Sequence, residues 1–105
     1  MATIAITWNY PTDTEQLAAT KIEEANWKGV CVAARGLQSF QRFSQAFGLA
    51  KSMVTASFGS MEEAMAYVTS PEYARVVAEM SALGSTDISI ELWKPTDSYN
   101  AKQRS

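Results

Sequence analysis

Glu91 is the side chain whose type and setting best suit acid–base chemistry. It lies in the run Asp87 to Lys94, Asp-Ile-Ser-Ile-Glu-Leu-Trp-Lys, whose alternation sets Ser89, Glu91 and Trp93 opposite Ile88, Ile90 and Leu92. It is the one ionisable group among those three residues. A carboxylate covered in such a place either forms a structural ion pair, with Arg42 or Lys94, or sits in an apolar site with a raised pKa. In the second case it can act as a general base or accept a ligand N–H. The register between strands decides whether Arg42 shares its face. Five further residues could form the walls of a site. Trp8 and Tyr10 stand at the end of a first strand and the start of its loop, and Trp27 lies near the end of a first helix. Phe40 and Arg42 share parity on a second strand. Rings of this kind stack on flat, electron-rich ligands. The plainer alternative for each is ordinary core, since burying a large side chain is worth about 2–3 kcal/mol. Asp13, Glu15, Glu62 and Glu63 are poor catalytic candidates, because first-turn carboxylates are occupied with capping and the helix dipole.

Composition removes other chemistries. The 105 residues contain no histidine, which excludes Ser-His-Asp and Cys-His nucleophiles, His-bearing zinc sites and a His-ligated haem on this chain. The single cysteine, Cys31, makes no intrachain disulfide and reads as a small buried thiol between Val30 and Val32. No metal and no cofactor are expected. Net charge is −2, and the nine Lys and Arg are scattered from Lys21 to Arg104, so no nucleic-acid partner is expected. The start Met1-Ala2-Thr3 has no basic, apolar leader, and no apolar run approaches membrane-spanning length, so a cytoplasmic protein with no membrane partner is expected.

These residues need elements to position them. Thr3 to Trp8 alternates as a strand with Ile4, Ile6 and Trp8 on one face. Thr12-Asp-Thr-Glu15 reads as a capping box, starting a helix at Asp13. Its stripe Ala18, Ile22, Ala25, Gly29 and Val32 steps by four and three, with Gly29 a plausible stop and the helix assigned to Lys28. Leu37 to Phe47 and Ser52 to Phe58 read as a hairpin with Gly48 near its turn, although the spacing of Leu37, Phe40 and Phe43 also fits a helix. Ser60-Met-Glu-Glu63 caps a second helix, which Ser70-Pro71 restarts and Gly84 ends. The closing strand stops at Pro95. The order is β-α-β-β-α-β, a ferredoxin-like α+β fold with a four-stranded antiparallel sheet, in one domain over 1–95. The polar tail 96–105 is expected to fray unless a partner chain holds it.

The helix-free face of that sheet carries Thr3, Ala5, Thr7, Thr55, Ser57, Ser89, Glu91 and Trp93, a surface with one charge. A face meant for water carries more. The simplest cover is the same face of a second copy, giving a homodimer with a barrel between the sheets. A solvated, Thr-rich face is the alternative, since β-branched residues favour strands in any case.

Phe58 to Tyr73, FGSMEEAMAYVTSPEY, resembles the third-strand-to-helix junction of the dimeric α+β barrel superfamily. More narrowly, ITWNYPTDTEQ, WKGVCVAARGLQSF and ISIELWKP resemble the RedY-like, HapK-type family over Ile4 to Pro95. The resemblance implies a small homodimer of prodigiosin biosynthesis, in the branch leading to the methoxy-bipyrrole carbaldehyde. It would bind or handle a pyrrole or bipyrrole intermediate. Cofactor-free oxidase, oxygenase or isomerase chemistry, and a role as a protein partner of other pathway enzymes, remain open beside it. The superfamily's haem degraders depend on a histidine ligand that this chain lacks.

Overall fold

A computed structural model describes residues 1–48 and 51–97. It runs β1 (Ala2–Asn9), α1 (Thr14–Val32), β2 (Leu37–Ser44), β3 (Lys51–Phe58), α2 (Met61–Val68), α3 (Pro71–Ala82) and β4 (Thr86–Trp93). The sheet order is β2-β3-β1-β4, and every neighbouring pair is antiparallel. β1 and β2 are therefore parallel with β3 between them, and β3 and β4 are parallel with β1 between them. Each crossover carries helix, and the two units interleave into the expected ferredoxin-like α+β fold. The hairpin reading of 37–58 holds, with Gly48 at φ +112 just beyond β2. Residues 98–105 of the expected tail lie outside the described residues.

Strand alternation sorts the chain into two faces. Ala2, Ile4, Ile6 and Trp8 of β1 are buried with Ser52, Val54, Ala56 and Phe58 of β3. The pairing Ile4↔Ala56 and Ile6↔Val54 makes them one surface, on which the helices pack. Thr20, Trp27 and Cys31 cover it from α1, Ala64 and Tyr67 from α2, and Tyr73, Val76 and Met80 from α3. Ser60 and Ser70 cap their helices as expected, accepting from Glu63 N at 3.2 Å and Tyr73 N at 3.1 Å. α3 ends in a Schellman turn: Gly84 at φ +95 lets Ser85 N donate to Met80 O and Gly84 N to Ser81 O, both at 3.0 Å.

Helix α1 departs from expectation in three ways. Its cap is Asp13, which accepts from Gln16 N at 3.0 Å, so the helix starts one residue later than the Thr12 box implies. Thr12-x-x-Glu15 and Asp13-x-x-Gln16 both fit a capping box, and a carboxylate is the stronger acceptor for an orphan N–H. The helix also runs through Gly29 to Val32. Burying Trp27 and Cys31 on either side of Gly29 outweighs the roughly 1 kcal/mol that a mid-helix glycine costs. Most telling, the expected stripe is not the buried one: Ile22 is 73% exposed and Val32 49%. The covered face steps through Thr20, Glu24, Trp27 and Cys31, the same 4-3-4 spacing turned about the axis.

The other face of the sheet forms three cross-strand rows. They are Ser39–Ser57–Thr3–Trp93, Gln41–Thr55–Ala5–Glu91 and Phe43–Met53–Thr7–Ser89. Glu91 is the one charge among these twelve residues. Hydroxyls pair across strands, Thr3 with Ser57 at 3.0 Å and Thr7 with Ser89 at 2.8 Å, so much of the face's polarity is already used within it. Phe43 is 43% and Trp93 56% exposed at its margins. No described helix is long and apolar enough to cross a membrane.

Candidate ligand cavity

Between the covered sheet face and the helices lies a cavity of about 370 Å³, within the range that small organic ligands occupy. Its sheet wall is Ile6 and Trp8 of β1, Phe40 and Arg42 of β2 and Val54 of β3. Helix α1 contributes Glu24, Trp27 and Cys31 along its covered side, with Lys21, Ala25 and Lys28 beside them. Tyr67 and Tyr73 close it with Val76 and Met80. Short side chains, among them Ala25, Cys31, Val54 and Val76, complete the lining beside the rings.

One edge is a polar cluster. Arg42 Nη1 pairs with Glu24 Oε2 at 2.6 Å, and Arg42 Nη2 donates to the Tyr10 hydroxyl. Tyr10 stacks edge-on against Trp8, ring centres 6.3 Å apart at 82°. Lys21 Nζ lies 5.3 Å from the Tyr10 ring centre and Lys28 Nζ 5.5 Å from that of Phe40, both cation–π distances. Three cations thus stand around the cavity against one carboxylate. Trp27 stands in the wall, but its Nε1 is engaged by a residue outside the lining, donating to Glu79 Oε1 at 3.0 Å. That bond, with Arg75 at 2.8 Å, holds the Glu79 carboxyl below its usual range.

Burial, and then the Glu24 carboxylate, push the Tyr10 phenol up. Burial also raises the Cys31 thiol and the Tyr67 phenol, and it pushes Tyr73 up to about 12. A raised folded-state pKa means that the fold prefers the neutral phenol. The stability this confers is complete below the ordinary tyrosine value of 10.0; the share of Tyr73 is lost as pH climbs from there toward about 12, and that of Tyr67 only at higher pH. Tyrosinate absorbance of Tyr67 and Tyr73 should therefore emerge together with loss of the far-UV dichroism signal. Ionisation of all four tyrosines near pH 10 with the dichroism unchanged would contradict this.

Of the residues singled out by sequence, Trp8, Trp27, Phe40 and Arg42 come together in the cavity wall, and Tyr10 joins them through Arg42. Glu91 does not. It pairs with Ala5 on the opposite face and is exposed, whereas Arg42 pairs with Val54 on the covered face. The strand register thus rules out an Arg42–Glu91 ion pair within a protomer, and Arg42 takes Glu24 instead. Among the described residues, Glu91 forms no ion pair with Lys94 either. Sequence reasoning missed Glu24, Lys21 and Lys28. The available signal was the i, i+3, i+7 relation of Glu24 to Trp27 and Cys31, a carboxylate in line with two side chains that had to be buried. Among the described residues no three His, Cys, Asp or Glu side chains gather as a metal site.

No family model matches the sequence, and no curated protein does. Solved structures do resemble it. A Deinococcus radiodurans protein assigned as an antibiotic biosynthesis monooxygenase superposes with a TM-score of 0.79 at 12% identity, over 95% of this chain and 97% of that one. SnoaB, a cofactor-independent oxygenase from Streptomyces nogalater, gives 0.70 at 10% identity, over 92% and 94%. A dimeric ferredoxin-like protein of unknown function from a Jannaschia species gives 0.68 at 14% identity, over 90% and 100%. At such identities the likeness concerns architecture alone: the chain has a ferredoxin-like α+β fold, and these neighbours share it.

Proposed function

We propose that the chain is a homodimeric small-molecule-binding or accessory protein of prodigiosin biosynthesis, acting in the methoxy-bipyrrole carbaldehyde branch on a pyrrole or bipyrrole intermediate. The observation that carries the binding part is the cavity of about 370 Å³, walled by Trp8, Trp27 and Phe40 and edged by Arg42 and Glu24. A flat, electron-rich heterocycle gains stacking from the rings, and the surplus of cations suits a weakly acidic one. The pathway assignment draws on the sequence resemblance. The homodimer draws on the nearly uncharged sheet face and on a dimeric neighbour of the same fold. In this reading Glu91 lies in the dimer interface, covered by the partner's sheet.

Titrating a bipyrrole carbaldehyde into the protein should quench the fluorescence of Trp8 and Trp27 and raise the melting temperature. Val76→Phe, which fills the cavity with a ring, should abolish both effects while the protein stays folded. Absence of quenching and of any thermal shift in the unsubstituted protein would overturn the reading.

A cofactor-free oxidase, oxygenase or isomerase is the second reading, favoured by the fold's likeness to SnoaB, a cofactor-independent oxygenase. Conversion of a bipyrrole alcohol by the isolated protein in air, with nothing added, separates it from simple binding.

A further inference from the structure

All the charge in the lining of the cavity lies on one side of it. Lys21, Glu24 and Lys28 come from α1 and Arg42 from β2, while the other strands and helices contribute no charged residue. Three contacts cross this edge: Lys28 Nζ over the Phe40 ring, Glu24 to Arg42, and Lys21 Nζ over the Tyr10 ring. Lys21, Glu24 and Lys28 are three and four residues apart, hence on one face of α1, and at that spacing Glu24 is the natural helical partner of both lysines. Arg42 takes its Oε2 instead, at 2.6 Å. Among the described residues neither lysine then forms an ion pair, and each ammonium rests on a ring, an attraction weaker than a charge-assisted hydrogen bond. Arg42 and Glu24 cancel, so the edge keeps the two positive charges of Lys21 and Lys28. From this one-sided surplus we infer that the ligand is an aromatic or heteroaromatic carboxylate, its rings against the aromatic wall and its carboxylate at the edge between α1 and β2, bound chiefly by Lys28 with Lys21 assisting.

The inference rests on the cavity-binding reading above and narrows it from a flat heterocycle to a flat anion. A carboxylate conjugated with its ring keeps the ligand planar. Lys28 has the larger part because both it and the ring beneath it, Phe40, line the cavity, whereas Tyr10, beneath Lys21, lies outside the lining. Both lysines are exposed, so salt should screen their hold on the anion and leave the burial of the rings unweakened.

Calorimetric titration of the full-length protein with three bipyrroles of similar shape tests it: 2,2′-bipyrrole-5-carboxylate, its carboxamide and its carbaldehyde. At low salt the carboxylate should bind at least about 10-fold more tightly than either neutral compound. That preference should shrink several-fold between about 0.02 and 0.5 M salt. Lys28→Gln should cost the carboxylate about 5-fold or more and leave the carboxamide unchanged. Lys21→Gln should cost it less, the two together should equalise the three compounds, and Lys28→Arg should keep the preference. Glutamine is a good helix former and both positions are exposed, so these variants retain the fold. Arg35→Gln makes the same change of charge outside the cavity lining and should leave the preference intact. Binding of the carboxylate no tighter than that of the neutral compounds, or a preference that Arg35→Gln lowers as much as Lys28→Gln does, would overturn the inference and leave the cavity reading standing. No binding by any of the three would overturn both.

Discussion

Ala5→Glu should convert the proposed homodimer into monomers that sediment as an 11.5 kDa species. Ala5 occupies the middle row of the open sheet face, between Thr55 on β3 and Glu91 on β4. In a two-fold pairing of this face the same patch meets itself, so one substitution enters the interface twice. Each new carboxylate would stand beside the existing Glu91, with no cation in its own cross-strand row or in the row on either side. Burying an uncompensated carboxylate costs several kcal/mol even after relaxation, so the dissociation constant should rise by at least about 100-fold. Ala5→Ser, small and neutral, should leave the dimer intact. Sedimentation velocity across a micromolar dilution series reads the result. An unsubstituted protein that is already monomeric at micromolar concentration would remove the dimer from the proposal, and a dimeric Ala5→Glu variant would place the interface elsewhere.

Phe58→Ala should be the most destabilising single truncation in the core. Phe58 is fully buried at the end of β3, pairs with Ala2 and Leu37 on either side, and stacks on Tyr67 with ring centres 5.8 Å apart at 29°. Removing a ring from such a place forfeits its transfer energy and leaves a cavity, at a cost of about 3–5 kcal/mol. For a small domain that is a large share of the roughly 5–15 kcal/mol available. Phe43→Ala removes the same ring from the open face and should cost the monomer core little, acting instead on association. Urea unfolding of both variants, with the midpoint compared at unchanged slope, checks the contrast. A Phe58→Ala midpoint close to that of Phe43→Ala would show that the cluster of Phe58, Tyr67 and Tyr73 is not where the stability lies.

The strands were legible because period two is a strong signal when one face is fully covered: Ile4, Ile6 and Trp8 set the phase of β1, and pairing carries that phase to its neighbours. Helix α1 was not legible in the same way. Counting apolar residues selects the side of Ile22 and Val32, but the buried side contains Thr20 and Glu24, and polar residues subtract from any hydrophobic count. The count fails at the cavity, since Glu24 stands on the covered face in the cavity's lining and outside the apolar core cluster. The aromatic candidates converged because Trp8, Phe40 and Arg42 share a strand parity that the register preserves. Glu91 was singled out for being isolated on its face, and isolation marked a surface poor in charge without indicating which ligand chemistry lies behind it. No local pattern in the sequence pairs Arg42 with Glu24, because that contact spans a helix and a strand brought together only by the packing of α1 on the sheet.

The alternation of β1 has a consequence for how such a protein changes over generations. Its even positions, Ile6 and Trp8, shape what the cavity holds, and its odd positions, Thr3, Ala5 and Thr7, shape what the sheet meets. Because the two sets point to opposite sides of one backbone, variation in one is nearly uncoupled from the other. A lineage can therefore drift to a new ligand while keeping its assembly, and a library randomised at the even positions of β1 and β3 explores ligand preference without paying in oligomeric integrity. A strand only eight residues long thus presents two faces that can vary independently.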